Sequence, residues 1–331
     1  MQREFTSLRA AGAANARTGD EIDLRRRRRL GEQIIQVLLW LAGLVSVFTT
    51  IGIVLVLAVD AYRFFARPEA SVLEFLTGTA WQPQIGQFGI FALFDATLLT
   101  SLIGMLVALP LGLMIAIYLS EYASARARSF LKPTLEVLAG IPTVVYGFFA
   151  LGFVTPLLQT IFGADRVEVF NVASAGIVIG ILIIPLVSSM SEDALSAVPR
   201  ALREAAFGIG ATRLETAVRV VLPAAISGLA AAFIVAMSRA IGETMVVAIA
   251  AGSGPRNFAS WGQALSGLSF LNPFKAAETM TGHIVRISGG DLSYDSIDYD
   301  SIFAIALMLF LITMILNIIS RWIVRRFRQE Y

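Results

Sequence analysis

Residues 199–223 read PRALREAAFGIGATRLETAVRVVLP, a polar, helix-prone stretch set between two long apolar blocks. Pro199 suits the first turn of a helix, where its missing N–H would have no partner in any case. That helix carries Ala201, Leu202, Glu204, Ala205 and Ala206, then meets Gly208 and Gly210. Glycine past a helix end accepts the left-handed conformation that turns the chain. Thr212 stands three residues before Glu215, the spacing of a capping box. A second helix follows through Leu214, Ala217, Val218 and Val221, and Pro223 marks a bend into the next apolar block. The spacing predicts a helix–glycine turn–helix knuckle over 190–222.

The blocks around it set the fold class. The chain has 331 residues, 56% hydrophobic and 15% charged, whereas soluble domains carry about 45–50% apolar and about 25% charged residues. Its mean hydropathy of +0.74 points the same way. A bilayer core of about 30 Å needs about 20 mostly apolar residues per helix. Charge-free runs of that kind lie between Glu32 and Asp60, Asp95 and Glu121, Glu136 and Asp165, Glu168 and Glu192, and Asp300 and Arg321. A further one is interrupted only by Arg239 and Glu243. In lipid every backbone polar group must be satisfied within the segment, so these runs are read as helices. The expectation is an all-α polytopic membrane protein of six transmembrane helices, over 34–59, 96–120, 137–160, 170–190, 222–251 and 301–320. A basic tail, 1–31, precedes this 32–331 domain. Residues 75–94 are also charge-free, but Gln82, Pro83, Gln84, Gly86, Gln87 and Gly89 make them an external or interfacial segment, and 257–274 is excluded for similar reasons, with a shallow re-entrant piece as the alternative there.

Cytoplasmic loops carry an excess of Lys and Arg. The run Arg25–Arg29, together with Arg126, Arg128, Lys132, Arg200, Arg203, Arg213, Arg219 and Arg321, falls on one side of the six spans. Both termini are therefore expected in the cytoplasm. The first apolar run is too long for a signal-peptide core and lacks a small-residue cleavage site, so it is expected to stay as an anchor. Composition also excludes chemistries. With no cysteine and a single histidine, His283, thiol catalysis and multi-histidine metal sites have no donors. The two lysines, Lys132 and Lys275, sit in no phosphate loop, so the chain does not hydrolyse ATP in that manner. Asp291, Asp295, Asp298 and Asp300 match no calcium-loop spacing and read as a solvated acidic loop, with His283 an ordinary loop residue.

The fifth span carries the sequence Met237-Ser238-Arg239-Ala240-Ile241-Gly242-Glu243-Thr244-Met245. A charge at mid-bilayer costs about 2.5–3.5 kcal/mol on insertion scales and seldom faces lipid. The i, i+4 spacing puts Arg239 and Glu243 on one face, with Ala232, Val235 and Ala236 on the same side. Such a pair either neutralises itself within the bundle or works on a substrate. In the second case Arg239 offers a delocalised cation with several donors to a tetrahedral oxyanion. Glu243 would steady the guanidinium and keep the anion from binding too tightly to leave.

Glu204-Ala205-Ala206, then Gly210, then Val220-Val221-Leu222-Pro223 resembles the EAA loop of ABC-importer permeases, with Val220 in place of the usual isoleucine. In that family the loop, here 191–221, supplies the coupling helix that docks on a separate ATPase subunit. The stretch around Arg-Ala-Ile-Gly-Glu-Thr-Met at 239–245 looks like that of phosphate ABC permeases of the Pst system. Ala139-Gly140-Ile141-Pro142-Thr143-Val144-Val145-Tyr146-Gly147 resembles their third helix. The external segment Phe75-Leu76-Thr77-Gly78-Thr79-Ala80-Trp81-Gln82-Pro83 is similar to the PstC type of that family. The resemblance implies a type I permease fold in a prokaryotic inner membrane, a heterodimer with a PstA-type permease, a PstB-type ATPase dimer and an external PstS-type phosphate-binding protein. No cofactor would be held by this chain; ATP and Mg would be used by the ATPase. Arg239 and Glu243 would lie on the substrate pathway.

Alternatives remain at this point. An arginine does not itself choose among tetrahedral anions, so a sulfate or molybdate permease is a near reading. A stand-alone secondary transporter using the pair for anion–proton coupling is a second, and an intramembrane enzyme has the least support. Pro110, Gly112, Pro142 and Gly147 either bend their helices as hinges or shape the packing, and Tyr146 either donates into a passage or belongs to the core.

Overall fold

The computed structural model describes residues 30–290 and 296–327. Most of the basic tail, as well as Asp291 and Asp295, lies outside the described residues. The chain divides into two compact units, 1–53 and 54–331. The first contributes the opening part of α1 (Leu30–Phe65), an almost uninterrupted apolar helix. The second holds the end of α1 and every later element.

At the end of α1, Ala61 and Phe64 are buried in an aromatic cluster with Phe75 of α2 (Val72–Thr77), Trp81 of β1 (Trp81–Gln82) and Phe88 of β2 (Gln87–Phe88). The two short strands pair antiparallel with Trp81 opposite Phe88, and the rings of Phe64 and Trp81 meet Phe88 edge-on at 5.1 and 5.7 Å. Edge-to-face contact is the favoured geometry for aromatic pairs. The glutamine-rich segment that sequence places outside the bilayer is thus a folded cap with its own aromatic core.

Helix α3 (Phe91–Ile117) runs on through a wider π-turn, Tyr118–Tyr122. Amphipathic α4 (Ala125–Ala139) follows, capped by Ser124, whose Oγ accepts from the Ala127 N–H at 3.2 Å. Pro142 then adopts an extended backbone and opens α5 (Thr143–Phe149), a π-turn over Ala150–Val154, and α6 (Thr155–Phe162). The apolar stretch expected from 137 therefore starts at Thr143, because Gly140 and Pro142 separate it from α4. Asn171 caps α7 (Val172–Ser196), its Oδ1 accepting from Ser174 N–H at 2.8 Å. This helix continues past residue 190, so the knuckle begins later than expected.

The knuckle consists of α8 (Arg200–Gly208), α9 (Arg213–Thr216), a π-turn over Ala217–Val221 and α10 (Leu222–Ala224). Pro199 stands one position before α8, as its cap, and not inside it. Gly210, with φ of +88°, makes the turn. The capping box between Thr212 and Glu215 is present in both directions. A bend of 74° at Ala225 then leads into α11 (Ile226–Ile241). The expected continuous helix over 222–251 is therefore bent at its start and broken near its end. Pro223 lacks the N–H that a continuing helix would use, and at Gly242–Thr244 the chain leaves the helix before α12 (Met245–Ala250). A short α13 (Trp261–Leu265), then α14 (Met280–Ser288) and α15 (Ile297–Phe327), complete the order. Among the described residues, five helical runs are long and apolar enough to cross a membrane, and the bent pair on either side of Ala225 makes a sixth.

The largest core joins α3, α5, α7, α11 and α12, with Ala108, Ala150, Val178, Ile179, Val187 and Ala236 fully buried. Helices in lipid gain nothing from excluding water, so small residues that let backbones approach carry the packing. A Cβ on Gly180 would stand 2.6 Å from Val107 Cβ and 2.8 Å from the Gly104 carbonyl, and one on Gly176 would meet Ile103 at 2.7 Å. Gly112 abuts Val187 and Gly147 abuts Ile249 in the same manner, so these glycines shape packing. Tyr146 belongs to this core too, its hydroxyl donating to the Leu138 carbonyl at 3.0 Å.

Gly180→Ala is expected to destabilise the detergent-solubilised protein by about 1–3 kcal/mol through overpacking. Gly152→Ala, where nothing lies within 4 Å, should be neutral or raise stability by up to about 1 kcal/mol. Thermal unfolding of both variants checks the pair, and equal behaviour would contradict the seam.

Candidate functional site

Helix α11 ends in an ion pair. Arg239 Nη1 lies 3.0 Å from Glu243 Oε2, with the guanidinium side chain 46% exposed and the carboxylate side chain 2% exposed. The predicted i, i+4 partners do meet, although Glu243 itself sits in the break after α11. Its position is fixed from another element: Thr281 Oγ1 of α14 donates to the Glu243 carbonyl at 2.8 Å. Thr279, whose Oγ1 is 3.2 Å from that of Thr281, caps the same helix. The contact between Arg239 and Glu243 is one of charge, not an aligned hydrogen bond, since Glu243 Oε2 has no hydrogen-bond donor. Arg239 hence keeps its N–H donors unengaged among the described residues. Of the residues expected on this face, Val235 is open beside Arg239, whereas Ala232 and Ala236 are buried in the bundle.

Arg239 lines a cavity of about 340 Å³, of a size seen for small-ligand sites. Its walls are mostly apolar, from Leu119, Leu135, Leu182 and Leu186, with Lys132 and Glu136 of α4, Thr143 of α5, and Ser189 and Glu192 of α7 adding polar groups. A mostly apolar wall with one half-open guanidinium and no hydrogen bond to it can receive an oxyanion and hold it by charge-assisted hydrogen bonds.

None of the knuckle residues lines that cavity. Glu204 and Ala205 are exposed on α8, Ala206 is buried, and Gly210 is at the turn. Val220 is only half-buried in the π-turn, while its neighbour Val221 is fully buried against Ala116, Leu195 and Leu229. Leu222 and Pro223 open α10. The tip of the knuckle is apolar and open, with Ile209 89% exposed and Leu214 61% exposed.

Several charged groups that hold this arrangement escape sequence reasoning. Arg203 of α8 donates to Glu121 through Nη2 at 2.9 Å, and to the Leu195 and Val198 carbonyls at 2.8 and 2.6 Å. It thereby ties the knuckle to the ends of α3 and α7. Asp95, which marks the edge of an apolar run in the sequence, lies inside α3 and pairs with Arg256 at 2.8 Å, across 161 positions of chain. His283 is not a loop residue: it sits on α14, 1% exposed, 3.0 Å from Glu278 Oε2 and edge-on to Trp81. Arg286 donates to the same Glu278 at 2.6 Å. The i, i+3 spacing of His283 and Arg286 was the available signal for a shared face. Asp298 and Asp300 are not a solvated loop either; they open α15, where Asp300 pairs with Arg67 and Asp298 Oδ1 is buried.

Burial pushes the Glu278 carboxyl up, but hydrogen bonds from His283 and Arg286 outweigh it and hold the group below the usual carboxylate range. A lowered folded-state pKa contributes stability that is present above the ordinary value and is lost as pH falls through the lowered one. Glu278→Gln is therefore expected to lower the melting temperature at neutral pH. The gap to wild type should close as the pH is taken below about 4. A gap independent of pH, measured by thermal unfolding in detergent, would contradict this account.

A family model described as the binding-protein-dependent transport system inner membrane component matches residues 108–329. The chain is 32% identical over 270 residues to the phosphate transport system permease protein PstC of Mesorhizobium japonicum, covering 76% of this chain and 78% of that protein. It is 27% identical over 307 residues to the probable ABC transporter permease protein YqgH of Bacillus subtilis, covering 92% and 94%. In fold it is similar to a chain of the bacterial alginate ABC transporter crystallised with its pentasaccharide-bound periplasmic protein. There the TM-score is 0.56 at 16% identity, over 92% of this chain and 99% of that one.

Proposed function

Because this chain belongs to the family of binding-protein-dependent transport system inner membrane components, we propose that it is the permease subunit of an ATP-driven importer and forms the pathway for inorganic phosphate. It is a multi-pass protein of the inner membrane. The observation that carries the phosphate reading at the level of chemistry is Arg239. It is a guanidinium with unengaged donors, fixed by a buried carboxylate, at the wall of a cavity inside a membrane bundle. The names of the relatives, PstC of Mesorhizobium japonicum among them, support phosphate over sulfate or molybdate.

In this reading the chain is non-catalytic and binds no cofactor; a separate PstB-type ATPase dimer hydrolyses ATP with Mg. A PstA-type permease completes a heterodimer and adds further donors to the passage. A PstS-type binding protein delivers phosphate to the cap formed by α2, the β-hairpin and the 252–275 segment. In this reading both termini and the knuckle lie in the cytoplasm, and Lys132, Glu136 and Glu192 of the cavity lining face that side. The open apolar tip at Ile209 and Leu214 meets the ATPase. Closure of the ATPase moves α8 and α9, and the 74° bend at Ala225 passes that movement to α11 and so to Arg239.

Cells lacking this chain, complemented with wild type, are expected to recover uptake of labelled phosphate at limiting concentration, undiminished by excess sulfate. Arg239→Gln, expressed at the same level, should fall to about a tenth of that rate or less, the scale of one lost charge-assisted contact. Inhibition by sulfate would move the substrate to another oxyanion. Full uptake by Arg239→Gln would reduce the ion pair to architecture, and uptake without the ATPase would indicate a secondary transporter.

A further inference from the structure

The cavity that Arg239 lines has a second cation. Lys132 of α4 lines it as well, its Nζ 3.1 Å from Glu192 Oε2 and 3.5 Å from Asp193 Oδ1. Glu192 is buried on α7, 5% exposed in its side chain, and is shared with Arg128 at 3.3 Å. The Lys132 side chain is 34% exposed. The two cations are built alike: each head group is open to the cavity, and each is anchored by an acid that is buried behind it, Glu243 for Arg239 and Glu192 for Lys132. The Glu192 carboxylate beside it also raises the Lys132 pKa, so the ammonium stays charged.

The cavity between them has one further ionised group, Glu136, which is exposed on α4. Lys132 already has two carboxylates within 4 Å, Glu192 and Asp193, whereas Arg239 has one, Glu243. An anion at Lys132 is therefore held less firmly than at Arg239, since nearby like charges weaken the attraction through a low-dielectric wall. The polar groups Thr143 and Ser189 lie on the same lining and offer hydroxyl donors. One cavity thus holds a more strongly binding cation, Arg239, a more weakly binding one, Lys132, and hydroxyl donors.

We propose that Lys132 is a second anion contact of this passage, a release station that receives the tetrahedral oxyanion from Arg239 and passes it to water. Glu136 and Glu192 limit its hold. The proposal rests on the phosphate-permease reading above and deepens it. No bond is made or broken in this step; the anion exchanges one cation for the next.

The test uses the whole transport complex, with its ATPase and binding protein, in proteoliposomes supplied with ATP and labelled phosphate. Lys132→Gln is expected to lower phosphate transported per ATP hydrolysed by about ten-fold, the scale of one lost charged contact. The external phosphate concentration for half-maximal uptake should not change. Lys132→Arg should restore most of the rate, and Glu136→Gln should slow release, seen as a lower maximal rate at unchanged ATPase. If Lys132 serves only to neutralise Glu192, the double variant Lys132→Gln/Glu192→Gln would recover wild-type transport, and that outcome overturns the proposal. Wild-type transport by Lys132→Gln alone would overturn it as well. Failure of the phosphate reading is seen separately, as absence of phosphate transport by the wild-type complex.

Discussion

In a bilayer the lipid tails are as apolar as leucine, so helices are held together by close contact and not by escape from water. The seam between α3 and α7 supplies that contact. Its glycines at 112, 176 and 180 leave room only for hydrogen, the side chains of Val187, Ile103 and Val107 filling the space a Cβ would need, and Gly104 sits tight against Ile179. The rest of the second unit depends on this seam. α7 held against α3 becomes the wall on which α11 packs with Ala236, and the cavity lies along the same helix at Leu182, Ser189 and Glu192. A displaced α7 would lose both the backing of Arg239 and the anchor of Lys132.

Ion pairs then close the bundle at places that packing alone leaves open. Asp95 and Arg256 join α3 to the segment after α12, and Arg256 also donates to the carbonyls of Asn272 and Phe270. Glu121 and Arg203 join the other end of α3 to the knuckle. Each of these arginines uses several donors at once, on carboxylate and on backbone carbonyls, which the planar guanidinium does better than an ammonium. Arg239 differs from them in having only a carboxylate and no carbonyl. The residue proposed for work makes no hydrogen bond to a backbone carbonyl, whereas those assigned to structure each bind a carboxylate and two carbonyls.

How much of this was legible in the sequence depends on the range of each interaction. The apolar runs were legible because hydropathy summed over about twenty residues outweighs any single exception. The knuckle was legible as well, since Thr212, Glu215 and Gly210 act on their own neighbours within one or two turns. Interactions across the chain were not. Nothing near Asp95 announces Arg256, and nothing near His283 announces Trp81, because the pairing is set by which helices become neighbours. The break after α11 was hidden for a related reason. Gly242 and Thr244 are tolerated inside many membrane helices, and the turn there is stabilised from outside by Thr281. Thus the pair Arg239 and Glu243 was found by its local spacing, while the hydroxyl that fixes Glu243 came only from the fold.

Arg239 and Glu243 together carry no net charge, and both belong to the protein. That neutrality has an electrical consequence. A cation that travelled with the substrate would cancel its charge, but a fixed, self-balanced pair lends attraction without lending countercharge. An anion that crosses beside it moves as charge through the membrane potential. With the interior negative, each elementary negative charge brought inward costs about 2.3 kcal/mol per 100 mV. Phosphate at neutral pH carries between one and two such charges, about the charge of a phosphate group on a protein at that pH. On the proposed route past Arg239, uptake would be uphill in voltage even where it is downhill in concentration, a cost that an energy source outside the chain would meet in the proposed importer.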